Sequence, residues 1–476
     1  MKFAAHAYFL IALAATFVSA QTNTPFKHVI VIVQENRTPD NLFAGGTNNP
    51  MTWDIQQFSA QASGVPLASC IDPDHNHLPQ GWTTQYNGGN YNNWCATSPG
   101  CIPVDGLKVC PQETFVNEVD VDPYFQIARN WGFANRMFQT NQGPSFPAHQ
   151  FLLSGTSTPT TNPPYNAWFA AENPVGTGSF NNTGCTAPVD QFVRLVDTSG
   201  SEGTCTKLDG VHCQTPCFEH QNLTDLLDTA NISWKWYAPN PGSIWTAPNS
   251  INHICVPQWS GSGSTQKICT GQDWTQNVIL YPPQVLNDIN NPDCKSFPQV
   301  SWVIPSFPYS DHGGTGINGM GPDWVADIVQ AVGNNGVNQC NYWSNTAIVI
   351  TWDDWGGFYD HVQIPQPFRN QYELGFRVPL LFVSAYTPAG FVSCPVPVGD
   401  CKHLMDFGSI LQFIEVVFGL PLIGPGTYAD ALARPLDPGF YSLQSERQFT
   451  PVTGLTHDAS YFTTNQVSPS QDPDDD

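Results

Sequence analysis

Two adjacent carboxylates follow an apolar run late in the chain. Asp353 and Asp354 lie in "TWDDWGGFYDH", residues 351–361, directly after the run "NTAIVI". Neighbouring carboxylates repel each other unless a proton or a cation lies between them, so the pair is a candidate for metal binding or acid–base chemistry. A purely structural acidic turn would have the same sequence, because acid clusters in proteins are also structural. This stretch alone leaves both interpretations open.

A second polar pair lies near the amino end. Glu35 and Asn36 follow "KHVIVIV", a β-branched run that predicts a buried strand entering a loop. In open α/β sheets, ligands bind beyond the carboxyl ends of the strands, so the two pairs would meet if their strands are near neighbours. Three carboxylates and an amide oxygen suit a divalent cation of hard or borderline character, and the absence of cysteine here argues against a structural zinc site. The sequence therefore predicts that the two pairs together hold a metal.

A candidate nucleophile lies in "NQGPSFPAHQFLLSGTS", residues 141–157. Ser145 is part of a Gly-Pro-Ser turn immediately before a segment with a helical pattern. A serine at the start of a helix is most often an N-cap. The same position also directs backbone N–H groups toward an incoming anion and could present the hydroxyl to phosphorus. The chain has no "GxSxG" elbow, so a lipase-type hydrolase has little support.

The elements that must position these residues are strands and helices that alternate along the chain. Short apolar runs at 301–304, 346–352 and 378–384 resemble the run before Glu35, and 323–332 and 405–420 have the apolar spacing of amphipathic helices. This alternation predicts an α/β fold with a largely parallel central sheet and helices on both faces.

The first twenty residues have the pattern of a secretory signal peptide. A single Lys2 precedes an apolar run, and Val18, Ser19 and Ala20 form a small-residue cleavage pattern. The apolar run is short for a bilayer span of about 20 residues, and no later segment is apolar enough to cross. We therefore expect residues 1–20 to be removed, no transmembrane segment, and a secreted or periplasmic protein.

Fourteen cysteines fit the oxidising compartment that export implies. "CQTPC" at 213–217 has no matching second pair, so a disulfide network is favoured over a metal knuckle. Six cysteines fall within about 155–275, a stretch rich in Gly, Pro, Thr and Asn that predicts a disulfide-rich, lid-like loop insertion. Residues 21–465 are expected to form a single domain with that insertion, and 466–476 an acidic disordered tail.

Acidic residues dominate the charge. Lys and Arg number 16 against 39 Asp and Glu, which gives a formal net charge of −23. A nucleic-acid partner is disfavoured, because phosphate backbones are bound mainly through Lys and Arg. A phosphate substrate would be repelled by the protein as a whole, so its site would need a local cation.

Six segments together resemble a known family. They are "HVIVIVQENRTPDNLFAG", "PDHNH" with "YNGGNYNNW", "GPSFPAHQFLLSGT", "PYSDHGG", "TWDDWGGFYDHV" and "LGFRVPLLFVSAYT". In this order they resemble the secreted bacterial phosphoesterases that include phospholipases C and acid phosphatases, which are similar in core fold to alkaline phosphatase. The resemblance implies a hydrolase acting on phosphoric ester bonds, with a phosphate ester or phospholipid as substrate.

The resemblance also implies roles for individual residues. One divalent metal ion, of a kind the motifs leave open, would be bound by Glu35, Asn36, Asp353 and Asp354, with the Ser145 hydroxyl completing the set. The hydroxyl would attack phosphorus and form a phosphoserine intermediate.

Three histidines would bind phosphate oxygens or protonate the leaving group: His75, His312 and His361. His361 would equally suit a structural pair with Asp360, and His77 is not separated from His75. His149 lies near the nucleophile turn but would also suit a helix surface.

Two departures from the family pattern bear on the substrate. Phospholipase members often carry "THP" at the nucleophile turn and an Asp-Glu pair after the late strand, whereas this chain has "SFP" and Asp353-Asp354. These choices favour phosphomonoesters, as in the acid phosphatase branch. The alternatives are phospholipase C cleavage of a phosphodiester lipid headgroup and, in another class, a secreted carbohydrate-binding or adhesive module rich in Trp and Tyr.

Overall fold

A computed structural model of the chain describes residues 24–55, 74–94, 111–164, 167–176, 182–197, 199–313, 320–334, 340–366, 373–397, 399, 401–424 and 426–465. The expected signal peptide and acidic tail lie outside these residues, as do the cysteines at 70, 95, 101 and 110. Within the described residues, no helix combines the length and apolarity needed to cross a membrane.

Thirteen strands and twelve α-helices are defined in the described residues. The strands are β1 His28–Gln34, β2 Gly132–Ala134, β3 Phe169–Ala170, β4 Val193–Val196, β5 Cys213–Gln214, β6 Trp234–Tyr237, β7 Pro257–Trp259, β8 Lys267–Cys269, β9 Val278–Ile279, β10 Val300–Val303, β11 Thr346–Trp352, β12 Leu380–Val383 and β13 Phe391–Ser393. The helices are α1 Pro39–Phe43, α2 Pro79–Tyr86, α3 Asp122–Asn130, α4 Ser145–Ser154, α5 Leu223–Thr229, α6 Asn252–Cys255, α7 Gln272–Asn277, α8 Gln284–Asn290, α9 Met320–Asn334, α10 Phe407–Phe418, α11 Ala429–Leu432 and α12 Ala459–Thr464.

The predicted α/β fold with a mostly parallel sheet is confirmed. Eight strands form one sheet in the order β13-β2-β12-β11-β1-β10-β6-β9. From β11 to β9 all pairings are parallel, while β12 runs antiparallel to both β11 and β2. All seven residues of β11 are buried. Because successive side chains point to opposite faces, other elements must cover the sheet on both sides there.

The register of the central strands brings the predicted polar pairs together. β1 and β11 pair along their whole lengths, and Gln34 lies opposite Trp352 at their carboxyl ends. The next residues along each strand, Glu35 and Asp353, therefore leave the sheet side by side. β10 lies on the other side of β1 and leads toward Asp311 and His312. The sheet thus delivers three chain segments to one edge.

The stretch from about 155 to 275 is divided between the core and smaller units. β6 belongs to the central sheet, where Trp236 stacks on Trp302 of β10 with ring centroids 5.5 Å apart. β3, β4 and β5 form a separate three-stranded sheet, and β7 and β8 a two-stranded one. The six cysteines pair among themselves, as Cys185–Cys217, Cys205–Cys213 and Cys255–Cys269. The disulfide network is confirmed, whereas the lid-like role of the stretch stays a prediction.

A pair of buried acids, Glu415 and Asp430, lies near α4, the helix that begins at Ser145. α10 packs against both α4 and α11. Glu415 of α10 is only 3 % exposed, and burial together with the neighbouring Asp430 of α11 raises its pKa to about 9. Its carboxyl group therefore binds a proton more strongly in the folded than in the unfolded chain.

We predict that this pair makes the fold less stable in alkali. The contribution of Glu415 to stability is fully present below its ordinary pKa of 4.5 and is lost as the pH rises through about 9. Glu415→Gln, which has no proton to lose, should flatten the decline of the melting temperature between pH 5 and pH 9. The exposed Glu446→Gln is the matched control. Parallel melting curves for parent and Glu415→Gln across this range would contradict the prediction.

Candidate active site

The four residues predicted to hold a metal meet at the carboxyl ends of β1 and β11. The side chains of Glu35, Asn36, Asp353 and Asp354 are all at most 1 % exposed. The turn after β11 is tight: Gly356 has φ of +60°, and a Cβ there would lie 2.4 Å from the carbonyl oxygen of Asn36. The glycine after the acid pair therefore lets the two loops approach each other.

Backbone amides orient the two aspartates. Asp353 Oδ1 accepts hydrogen bonds from the backbone N–H groups of Asn36 at 3.0 Å and Asp354 at 2.7 Å. Asp354 Oδ1 accepts one from Gly356 N–H at 2.7 Å. Each aspartate thus has one oxygen held by the loop backbone, which fixes the direction in which the other oxygen points.

Ser145 lies against these carboxylates. Its hydroxyl donates to Glu35 Oε2 at 3.2 Å and lies 3.3 Å from Asp354 Oδ2. Ser145 is the first residue of α4, and Pro144 is the N-cap residue. The N-cap interpretation of Ser145 is therefore wrong, since its side chain faces the acid cluster instead of capping the helix.

The cluster has the oxygens and the charge that a cation requires. Three carboxylates are buried together, and like charges repel strongly where water is excluded. Two buried oxygen atoms, Asn36 Oδ1 and Asp353 Oδ2, have no hydrogen-bond partner among the described residues. Ligand atoms of Glu35, Asp353 and His149 lie within 4.8 Å of one another. The residues present therefore fit a divalent ion with mainly oxygen ligands.

His312 and His77 approach the same site from a second side. The Nε2 atom of His312 lies 2.8 Å from Asn36 Nδ2, and that of His77 lies 3.5 Å from the same amide. Their Nδ1 atoms contact backbone carbonyl oxygens, of Gly313 at 2.7 Å and of His75 at 2.6 Å. These contacts orient both rings so that each directs Nε2 toward the site.

His75 is placed differently from His77. Its ring is fully buried and packs edge-on against Phe358, with ring centroids 4.7 Å apart. Burial, with nearby Arg37, lowers the pKa of His75 to about 3. A ring that is neutral even in acid is a poor proton donor, so the geometry favours His77 for the role expected of His75.

His361 lies in a separate group of charges. Its Nδ1 is 2.7 Å from Asp40 Oδ2 and its Nε2 is 3.3 Å from Asp54 Oδ1. Arg377, fully buried, donates to both carboxylate oxygens of Asp360 at 2.8 and 2.9 Å. The expected pair of His361 with Asp360 is therefore replaced by contacts with Asp40 and Asp54, and Arg377 anchors the loop before β12.

His149 is the residue that sequence reasoning undervalued. It is fully buried, with Nε2 3.1 Å from Glu35 Oε1, so the helix-surface interpretation is wrong. Its spacing from Ser145 is the signal that could have identified it, because residues four apart lie on one helix face. Trp245, whose ring centroid lies 6.2 Å from that of His312, had no such signal.

The chain is similar in sequence to known phosphoesterases. The family model described as "Phosphoesterase family" matches residues 26–421. The chain is 23% identical over 463 residues to phospholipase C B of Mycobacterium tuberculosis, covering 86% of this chain and 76% of the relative. It is 29% identical over 446 residues to the non-hemolytic phospholipase C of Pseudomonas aeruginosa, covering 84% and 55%. A protein of the alkaline phosphatase superfamily from Vibrio parahaemolyticus is structurally similar with a TM-score of 0.34 and 9% identity, covering 87% and 72% of the two chains.

We predict that His361 supports the fold rather than the chemistry. Burial lowers the pKa of His361, but its hydrogen bonds to Asp40 and Asp54 outweigh burial and raise it to about 9. Its stabilising charge is fully present below about pH 6.5 and is lost as the pH rises through 9. His361→Asn should lower the melting temperature by several degrees at pH 6 and by less at pH 9.5, while hydrolysis of a phosphate ester remains.

The control for this variant is His403→Asn, which removes a partly exposed histidine from outside the network. Loss of hydrolysis by His361→Asn at an unchanged melting temperature would restore a direct role for His361.

Proposed function

Because the chain belongs to the phosphoesterase family, whose members hydrolyse phosphoric esters, we propose that it acts through a phosphoserine formed at Ser145 and depends on one divalent metal ion. The observation that carries the proposal is the contact of the Ser145 hydroxyl with two buried carboxylates, Glu35 at 3.2 Å and Asp354 at 3.3 Å. A carbohydrate-binding or adhesive module would need neither the acid pairs nor the serine turn.

The metal would be held by Glu35, Asn36, Asp353 and Asp354, with Ser145 beside it. When bound, a divalent ion lowers the pKa of a neighbouring hydroxyl and offsets negative charge on the phosphoryl group. One of the two carboxylates that contact the Ser145 hydroxyl, Glu35 or Asp354, would accept its proton. The N-terminus of α4 adds backbone N–H groups that favour an anion at this point.

The reaction proceeds in two displacements. First, the bond from Ser145 Oγ to phosphorus forms as the bond from phosphorus to the leaving oxygen breaks, and that oxygen takes a proton from His312 or His77. Second, a water oxygen attacks phosphorus and gives a proton to the histidine that lost one in the first step, the bond from phosphorus to Oγ breaks, and Ser145 recovers its proton from the carboxylate that took it. When protonated, either ring would donate to phosphate oxygens or to the leaving group.

We propose phosphomonoesters as the substrates. At the nucleophile turn and after the late strand this chain has "SFP" and Asp353-Asp354, where phospholipase members often carry "THP" and an Asp-Glu pair. These differences favour the acid phosphatase branch. Phospholipase C activity on a lipid headgroup is the second candidate, and the names of the two relatives favour it.

We also propose that the protein works outside the cytoplasm, in the periplasm or beyond the cell. Five disulfides join ten cysteines of the described residues: Cys185–Cys217, Cys205–Cys213, Cys255–Cys269, Cys294–Cys340 and Cys394–Cys401. Such bonds persist in oxidising compartments, and the leader pattern at residues 1–20 accords with export. The parts of the 155–275 stretch outside β6 would then form a disulfide-stapled lid over the sheet edge.

Two chromogenic esters test the substrate. With manganese or zinc present, p-nitrophenyl phosphate should be hydrolysed with a kcat/KM at least about tenfold above that of p-nitrophenyl phosphorylcholine, because a site that serves phosphomonoesters discriminates against a second ester substituent. A preference for the phosphorylcholine ester would establish the phospholipase C alternative instead. Failure to hydrolyse either ester with any divalent ion would reject the proposed function.

Ser145→Ala tests the nucleophile. Turnover should fall more than about 1,000-fold with the melting temperature nearly unchanged, because the covalent route is removed. The control is Ser154→Ala, a buried serine at the other end of the same helix. Acid quenching of the parent during turnover should trap phosphate on the peptide that contains Ser145. Retained turnover in Ser145→Ala, or phosphate trapped on another peptide, would exclude this nucleophile.

A further inference from the structure

His149 contacts the same carboxylate as the proposed nucleophile, one helical turn away. Its Nε2 lies 3.1 Å from Glu35 Oε1, while the Ser145 hydroxyl lies 3.2 Å from Glu35 Oε2. The His149 Nε2 atom is also 3.8 Å from Asp353 Oδ2. All four side chains are fully buried. The carboxylate from β1 is thus held at both oxygens by one face of α4.

This contact has a counterpart at each aspartate of the site. For Asp353 and Asp354, backbone N–H groups hold Oδ1 and so set the direction of Oδ2. For Glu35, the imidazole of His149 contacts Oε1 in the place that backbone amides take for the aspartates. A glutamate has one more rotatable bond than an aspartate, so its orientation needs fixing even more.

We propose that His149 is a positioning residue for the metal site. Its Nε2–H donates to Glu35 Oε1, which leaves Oε2 facing Ser145 and the ion. The inference rests on the metal-dependent reaction proposed above and adds to it a residue outside the ligand set. Because α4 carries both Ser145 and His149, the serine and the orientation of Glu35 are fixed by the same helix.

The competing arrangement is direct coordination of the ion by His149. Ligand atoms of Glu35, His149 and Asp353 lie within 4.8 Å of one another, so distance alone permits it. The two arrangements differ in one measurable respect. A ligating nitrogen couples strongly to the electron spin of bound Mn²⁺, whereas a nitrogen that only orients Glu35 does not.

The experiment uses chelator-treated full-length protein and Mn²⁺ as the probe. Calorimetric titration compares the parent with His149→Gln, which keeps an N–H donor, and His149→Leu, which does not. His220→Leu is the control, since His220 is another buried histidine, outside the site, that packs near Phe218 and Tyr428. We expect Mn²⁺ affinity to fall about 10- to 100-fold in His149→Leu, to change little in His149→Gln, and to be unchanged in His220→Leu.

Pulsed electron paramagnetic resonance of the Mn²⁺-loaded parent, labelled with ¹⁵N-histidine, gives the second measurement. Weak nitrogen coupling supports positioning, whereas a strong coupling that disappears in His149→Gln would make His149 a ligand and overturn the proposal. Parental Mn²⁺ affinity in a folded His149→Leu would also overturn it. If His149→Leu does not fold, His149→Asn, whose shorter amide cannot reach Glu35, replaces it with the same expectation.

The same measurements distinguish a failure of the proposed function from a failure of the role proposed for His149. If the parent itself binds no divalent ion, both the metal site and this inference fall. If the parent binds Mn²⁺ and hydrolyses phosphate esters but His149→Leu keeps its affinity, only the role of His149 is rejected.

Discussion

Three carboxylates buried at one edge of a parallel sheet impose the constraint on which the rest of the site depends. Glu35, Asp353 and Asp354 are fully buried, and taking each charge out of water costs several kcal/mol unless it is compensated. Their position follows from the pairing of β1 with β11, because Gln34 and Trp352 lie opposite each other just before them. A divalent ion would relieve this repulsion and would also place positive charge beside Ser145, as a phosphate substrate would require in so acidic a protein.

Elsewhere in the protein, the negative charge of buried acids is compensated by positively charged side chains. Asp40 and Asp360 contact the guanidinium of Arg377, and His361 adds a further positive charge that its carboxylate neighbours stabilise. Side chains of this chain thus supply the cations there. At the strand ends the partners of the acids include a serine hydroxyl, a histidine and backbone amides. This difference in partners distinguishes the acid group that is neutralised by Arg377 and His361 from the group at the strand ends, which we propose holds a metal ion.

The apolar pattern of the sequence predicted most of the fold. The runs before Glu35 and Asp353 became β1 and β11, and the amphipathic segments at 323–332 and 405–420 became α9 and α10. Patterning works for these elements because parallel strands buried on both faces need continuous apolar runs. It was less informative for 155–275, where turn-forming composition gave no sign of the two small sheets formed by β3 to β5 and by β7 and β8.

The sequence by itself determined where the two strands end, which polar residues follow them, and that a serine begins a helix. It could do so because apolar runs and the polar residues that end them are visible in the local sequence. Only the tertiary structure decided which histidines lie at the site. His75 and His77 are two residues apart in the sequence. The ring of His75 nevertheless packs against Phe358, whereas the ring of His77 faces Asn36. His361 contacts Asp40, which lies 321 residues earlier in the chain. Such choices depend on side-chain direction and on partners far away in sequence, and local composition carries no record of either.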